Sequence, residues 1–168
     1  MLYFATLIIG VHAFCAINKP VIVSFAEKDT ITINSSFLEN KLVKEIIAKK
    51  LVVNMSSFSS LTIESVNVEE LNINISGGAT VHCKSGIIKA QNINISGFSK
   101  HKAENIKHET CDVNASGFSR VQVGCCENKI EAYVSGFSRL TYRYLTGTTK
   151  NIRSDNSIIS GSLCKELS

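Results

Sequence analysis

Most side chains that ordinarily carry chemistry are spread too thinly along this 168-residue chain to form a reaction centre. The aspartates Asp29, Asp112 and Asp155 lie far apart, whereas a β-helical polysaccharide lyase or hydrolase needs facing carboxylates for calcium or for acid and base work. Glu64, Glu69 and Glu70 are closer together, but one repeat further on the chain carries Lys89 and Ala90 in their neighbourhood. His82, His101 and His108 form neither H-x-x-x-H nor H-E-x-x-H, and no C-x-x-C occurs. No metal or cofactor is therefore called for. His82 beside Cys83 reads as one surface and one core residue. Serine is abundant, but a serine nucleophile needs a base held by a third group, and these serines recur next to glycine, where they serve turns. A polysaccharide-active β-helix enzyme is thus the alternative reading, and a non-enzymatic one leads.

Residues suited to binding and modification are more regular. Five N-x-S/T sequons fall at Asn34, Asn54, Asn74, Asn94 and Asn114, always 20 residues apart. They are N-glycosylation candidates if the protein is secreted, and the same spacing would serve a ladder of asparagine amides bonded from turn to turn. Lys100, Arg120 and Arg139 fall at equivalent positions of successive repeats, with Lys102 close by, and form a candidate basic column for an anionic glycan. The alternative is a solvated edge whose charge blocks strand pairing. Cys83, Cys111, Cys125, Cys126 and Cys164 are disulfide candidates. No pair is one repeat apart, although Cys83 with Cys125 and Cys125 with Cys164 are each about two repeats apart, so connectivity stays open.

These spacings follow from an internal repeat. NMSSFSSL at 54–61, NISGGATV at 74–81, NISGFSKH at 94–101 and NASGFSRV at 114–121 recur every 20 residues, and YVSGFSRL at 133–140 follows after 19. Degenerate copies stand at 33–40 and 152–159. Before each corner the chain alternates, as in Leu71, Ile73 and Ile75 against Asn72, Asn74 and Ser76, which marks a strand with one buried face. Gly77, Gly97, Gly117 and Gly136 sit where the chain must turn. One such coil cannot bury its own apolar face, but stacked coils can. The expected fold is all-β, a single-stranded β-helix (β-solenoid) of about seven turns with a period of 19–20 residues. Phe37, Phe58, Phe98, Phe118 and Phe137 should form one structural column, inside or at a corner, interrupted at Gly78. Residues 36–51 also show helical spacing and an S-x-x-E pattern. A short helical N-terminal cap is therefore the alternative to a solenoid turn there.

The SGFS and SGGA motifs, preceded by alternating apolar residues at this spacing, resemble the "putative autotransporter adhesin, head GIN domain" family over roughly residues 30–161. The resemblance implies an exported β-solenoid and brings no catalytic residues. Where that family often reads SGSG, phenylalanine holds the third place here.

Composition fits this picture. Twenty Ile and 13 Val supply inward strand positions, 21 Ser and 14 Asn supply corners and outward positions, and a single proline leaves the ladder donors intact. The net charge of +4 is too mild to indicate nucleic acid. Residues 1–15 read as a signal peptide, with a buried first strand as the alternative for this apolar start, 16–30 as a lead-in, 31–161 as the repeat domain and 162–168 as a tail. No second long apolar run suggests a transmembrane span. The expectation is a secreted, extracellular or cell-surface module, structural or adhesin-like. Its partners would be cell-surface, wall or matrix components, an anionic polysaccharide among them, and further copies of itself through stacking.

Overall fold

The computed structural model describes residues 7–9, 22–144 and 148–164, with side chains from Asp29 onward. Ten strands follow one another: β1 (Leu7–Ile9), β2 (Ile22–Ser35), β3 (Asn40–Met55), β4 (Ser60–Ile75), β5 (Thr80–Ile95), β6 (Lys100–Ala115), β7 (Arg120–Val134), β8 (Arg139–Tyr144), β9 (Thr148–Arg153) and β10 (Ile158–Leu163). All are parallel. From β2 to β7 each strand pairs with the next, β8 and β9 both pair with β7, and β10 closes on β8. This is the β-solenoid of about seven turns that the repeat predicts, and the described residues contain no helix.

Register converts sequence period into columns. Leu51 pairs with Leu71, and Leu71 with Gln91. Val53, Ile73, Ile93 and Val113 form the next inward column. Within β4 the alternation of buried and outward residues slips at Glu64–Ser65 and again at Glu69–Glu70. Inward side chains therefore come from three short straight stretches per turn. The largest, including Ile31, Ile46, Leu61, Ile73 and Ile93, are almost wholly buried, and each such side chain contributes about 1.5–3 kcal/mol by leaving water.

Inter-turn bonding also passes through the corners. Gly78 N–H donates to the Ser57 carbonyl at 2.8 Å, Phe98 N–H to Gly77 at 2.7 Å and Phe118 N–H to Gly97 at 2.8 Å. Positive φ recurs at the same place on successive corners, at Ser57, Gly77, Gly97, Gly117, Gly136 and Asp155. A β-carbon on Gly97 would lie 2.5 Å from the Gly77 carbonyl oxygen. The glycine thus lets one corner settle on the last as well as turn.

The helical alternative for 36–51 gives way to β3. Val43, Ile46, Ala48 and Leu51 are buried and pair with Ile63, Val66, Val68 and Leu71 of β4, so packing against the next turn overrides local helical spacing. Glu39 accepts a hydrogen bond from the Ser35 hydroxyl at 2.7 Å and pairs with Lys41 at 3.1 Å. At the amino end, Leu7–Ile9 pairs with Ile31–Ile33. The rest of the 1–15 segment lies outside the described residues.

Candidate functional site

Each SGFS corner sets out three outward positions in a fixed order, and stacking repeats them as three parallel rows. Asparagine and serine come first (Asn94, Ser96), then phenylalanine (Phe98), then a cation (Lys100).

The first row borders an open groove of about 840 Å³ that reaches from Asn34 to Ser154. The sequon asparagines form a continuous amide ladder along it. Asn54 Nδ2 donates to Asn34 Oδ1 at 2.9 Å and Asn74 to Asn54 at 2.9 Å. Asn94 donates to Asn74 at 3.2 Å and Asn114 to Asn94 at 3.4 Å. Asn92 and Asn72 make one rung of a second ladder at 2.8 Å. The nitrogen that would carry a sugar is therefore a donor at four of the five sequons, and Tyr133 follows Asn114 in the column.

The second row is an aromatic ladder. Phe98 and Phe118 stack with centroids 5.0 Å apart, and Phe118 and Phe137 stack at 5.1 Å, both within 4° of parallel. The column lies at the corner, as expected, but on its outside, where Phe58, Phe98, Phe118 and Phe137 are 52–71% exposed. Phe37 does not join it, because the 20-residue register sets Phe37 level with Ser57 and puts Leu38 in the column instead. Alternation runs unbroken through the corner, with Ile95, Ser99 and His101 buried and Ser96, Phe98 and Lys100 exposed, so Phe98 stands on the outward count. Phe58 leans over the gap at Gly78, its ring carbons 2.7 Å from where a β-carbon would stand.

In the third row, Lys100 pairs in register with Arg120, and Arg120 with Arg139. The preceding turns carry Asn40, Ser60 and Thr80 at this position. Lys102 is two residues further along β6, also exposed. On other edges lysines meet carboxylates one turn away: Lys49–Asp29 at 2.7 Å, Lys50–Glu70 at 2.9 Å, Lys84–Glu64 at 3.4 Å and Lys89–Glu69 at 3.2 Å. The lysine beside Glu70, with help from the Asn72 amide, holds its carboxyl below the usual range. Among the described residues, Lys100, Lys102, Arg120 and Arg139 have no such partner. Three like charges about 4.8 Å apart per step repel one another. Lys44, Lys107, Lys150 and Arg153 also lack a carboxylate partner among the described residues, but only Lys100, Arg120 and Arg139 stack in register on successive turns.

The carboxylates considered for catalysis, Glu64, Glu69 and Glu70, are those engaged by lysines. Among the described residues no three His, Cys, Asp or Glu side chains gather to hold a metal. Cys125 and Cys164 form a disulfide across 39 residues, tying the last described turn to β7, a constraint that contributes about 4 kcal/mol in the loop-entropy account. Cys83, Cys111 and Cys126 are free and buried, and burial pushes the Cys83 thiol up to about 12.

Sequence reasoning missed a polar cluster inside the coil. Gln91, His101 and His108 are buried, with Gln91 Nε2 2.9 Å from His101 Nε2. Gln91 Oε1, His101 Nδ1 and both His108 nitrogens have no partner. Burial lowers the His101 imidazole to about 4 and that of His108 to about 3. The signal was available in the columns: Val81 and Val121 flank His101, and Ile88 and Cys126 flank His108.

Fold and corner rows together define a parallel β-solenoid with regularly spaced surface chemistry. A family model described as "Putative auto-transporter adhesin, head GIN domain" matches residues 6–143, and the chain belongs to that family. A crystal structure of a putative adhesin from Parabacteroides distasonis is similar in fold, with a TM-score of 0.62 and 18% sequence identity over 83% of this chain. The chain spans 57% of that protein's length. No curated protein matches it.

Proposed function

We propose that this protein is an exported, adhesin-like β-solenoid that attaches to anionic glycan of a cell surface, wall or matrix through the column Lys100–Arg120–Arg139, with Lys102 beside it. The observation that carries this reading is the register: Lys100, Arg120 and Arg139 stack on successive turns with no carboxylate partner, whereas Lys49, Lys50, Lys84 and Lys89 each meet a carboxylate one turn away. Cations repeated along the rod suit a polymer whose acidic groups also repeat, so that weak contacts sum. Family membership and the neighbour described as an adhesin support the class of function. The disulfide supports an oxidising compartment.

Charge reversal tests the column. Lys100→Glu, Arg120→Glu and Arg139→Glu together should weaken retention on a heparin-type resin by about tenfold or more. Equal reversal at the paired Lys84 and Lys89 should change it little. Unchanged retention of the column variant would sink the reading.

The sequons receive a related proposal. The amide ladder occupies the inner rungs, so in a glycosylating host we place sugar at the ladder ends, Asn34 and Asn114. Asn34 Nδ2 makes no described ladder bond, and the Asn114 rung is the longest. Intact mass before and after enzymatic deglycosylation should show one or two glycans. Five would contradict the ladder's priority.

A further inference from the structure

We infer that the phenylalanine ladder and the basic column together form a docking edge for an anionic lipid bilayer. The inference goes beyond the glycan reading: it shares the basic column with it and adds the phenylalanine ladder, which a glycan does not engage.

Large exposed apolar side chains are ordinary when scattered and informative when contiguous. Here they are contiguous. Phe98, Phe118 and Phe137 stack face to face, with Phe58 beyond the Gly78 gap and Phe37 and Leu38 exposed at the first corner. Stacking within the ladder covers the ring faces, so solvent meets a ridge of ring edges. Ser99, Ser119 and Ser138 are buried and separate each ring by one residue from Lys100, Arg120 and Arg139. Apolar ridge and cationic row therefore run side by side along the rod.

The two rows select the occupant. A second copy docking edge to edge would cover the rings but supply no anions for the cations. A polysaccharide would supply anions, but sugar C–H groups pack on aromatic faces, which the ladder has already used. An anionic bilayer supplies both needs. Phosphates meet Lys and Arg at the headgroup level, and aromatic rims enter the boundary with the acyl chains. Among the described residues no helix is long and apolar enough to cross a membrane, and this edge needs none, because it lies on the surface.

The test uses the full chain with vesicles of phosphatidylcholine alone and of phosphatidylcholine with phosphatidylglycerol. The chain should sediment with the anionic vesicles and not with the neutral ones. Phe98→Ser, Phe118→Ser and Phe137→Ser together should lower that partition about tenfold or more while leaving heparin-resin retention unchanged. Charge reversal of the column should abolish both. Circular dichroism of each variant checks the sheet, and if the triple serine variant does not fold, Phe118→Ser alone serves. Resin retention without anionic-vesicle binding, or vesicle binding indifferent to the serine changes, overturns the docking edge and leaves the glycan reading standing. Loss of resin retention in the wild-type chain would overturn the glycan reading first.

Discussion

Acid should unfold this protein well before its surface carboxylates would. His101 and His108 are buried with imidazoles lowered to about 4 and about 3, chiefly by burial, with a further lowering from His82 on His101 and from His101 on His108. In the unfolded chain both titrate near 6.5. As pH falls below that value the unfolded state takes up protons that the folded state cannot. Stability is therefore full above about pH 7, declines as pH falls through 6.5, and stops declining only below the folded values. By pH 4 the loss is on the order of 6 kcal/mol for the pair, comparable with the whole stability of many domains. The residues packed in register with the two imidazoles are apolar or thiol: Val81 and Val121, Ile88 and Cys126. The backbone of Val81 partly offsets the lowering at His101 through a hydrogen bond, and no carboxylate stands in register with either imidazole.

The columns also say how to remove the effect. Gln91→Leu copies Leu71, His101→Val copies its neighbours in register, and His108→Ile copies Ile88. The triple variant replaces the whole cluster, which avoids leaving Gln91 without its partner. Its urea midpoint at pH 7.5 should equal or exceed the wild type's. Its midpoint at pH 5 should fall far less than the wild type's does. Parallel losses in both proteins would show that the imidazoles do not govern acid stability.

The second large effect separates two substitutions that the repeat alone would rank together. Gly78 interrupts the phenylalanine column, and Gly86 interrupts an inward column occupied by Val66 and Ile106. Filling either looks like a consensus repair. At Gly78 a side chain meets only the movable Phe58 ring, and Gly78→Phe should complete the ladder, raising stability by up to about 1 kcal/mol through aromatic stacking. At Gly86 φ is +136°, and a β-carbon would stand 1.8 Å from the Val66 carbonyl oxygen. A β-branched residue there must part the backbones of two bonded turns, so Gly86→Val should cost about 4 kcal/mol or more. Thermal unfolding of the two variants checks the ranking, and a stable Gly86→Val protein would contradict the close approach of these turns.

Period, strands and corners were legible because a solenoid writes each turn's environment at a fixed spacing. Once Asn74 and Asn94 are one turn apart, the amide ladder and the Lys100–Arg120–Arg139 register follow. The cues that misled were local ones. Helical spacing in 36–51 competed with burial against β4, and burial won. The outward direction of the phenylalanines was legible by carrying the alternation through the corner, since Ile95, Ser99 and His101 are buried while Ser96, Phe98 and Lys100 are exposed; the apolar character of phenylalanine pointed the other way. The pairing of Cys125 with Cys164 spans two turns because Cys125 lies in β7 and Cys164 directly follows β10, which pairs with β8, a geometry that residue spacing admits but does not choose. Gln91 and the histidines were overlooked because they break the apolar column while the backbone continues undisturbed.

Stacking places Lys100, Arg120 and Arg139 in one unneutralised column, and the proposed function requires that this column binds. Arg120, flanked in register by Lys100 and Arg139, is its middle member, and Lys89, paired with Glu69 at 3.2 Å, is the matched control elsewhere on the rod. The deciding measurement is binding to a sulfated polysaccharide across a salt series for the wild type, Arg120→Glu and Lys89→Glu. The account predicts salt-sensitive binding that Arg120→Glu weakens severalfold and Lys89→Glu leaves nearly unchanged. Equal weakening by both substitutions would reduce the column to net charge alone and contradict the claim.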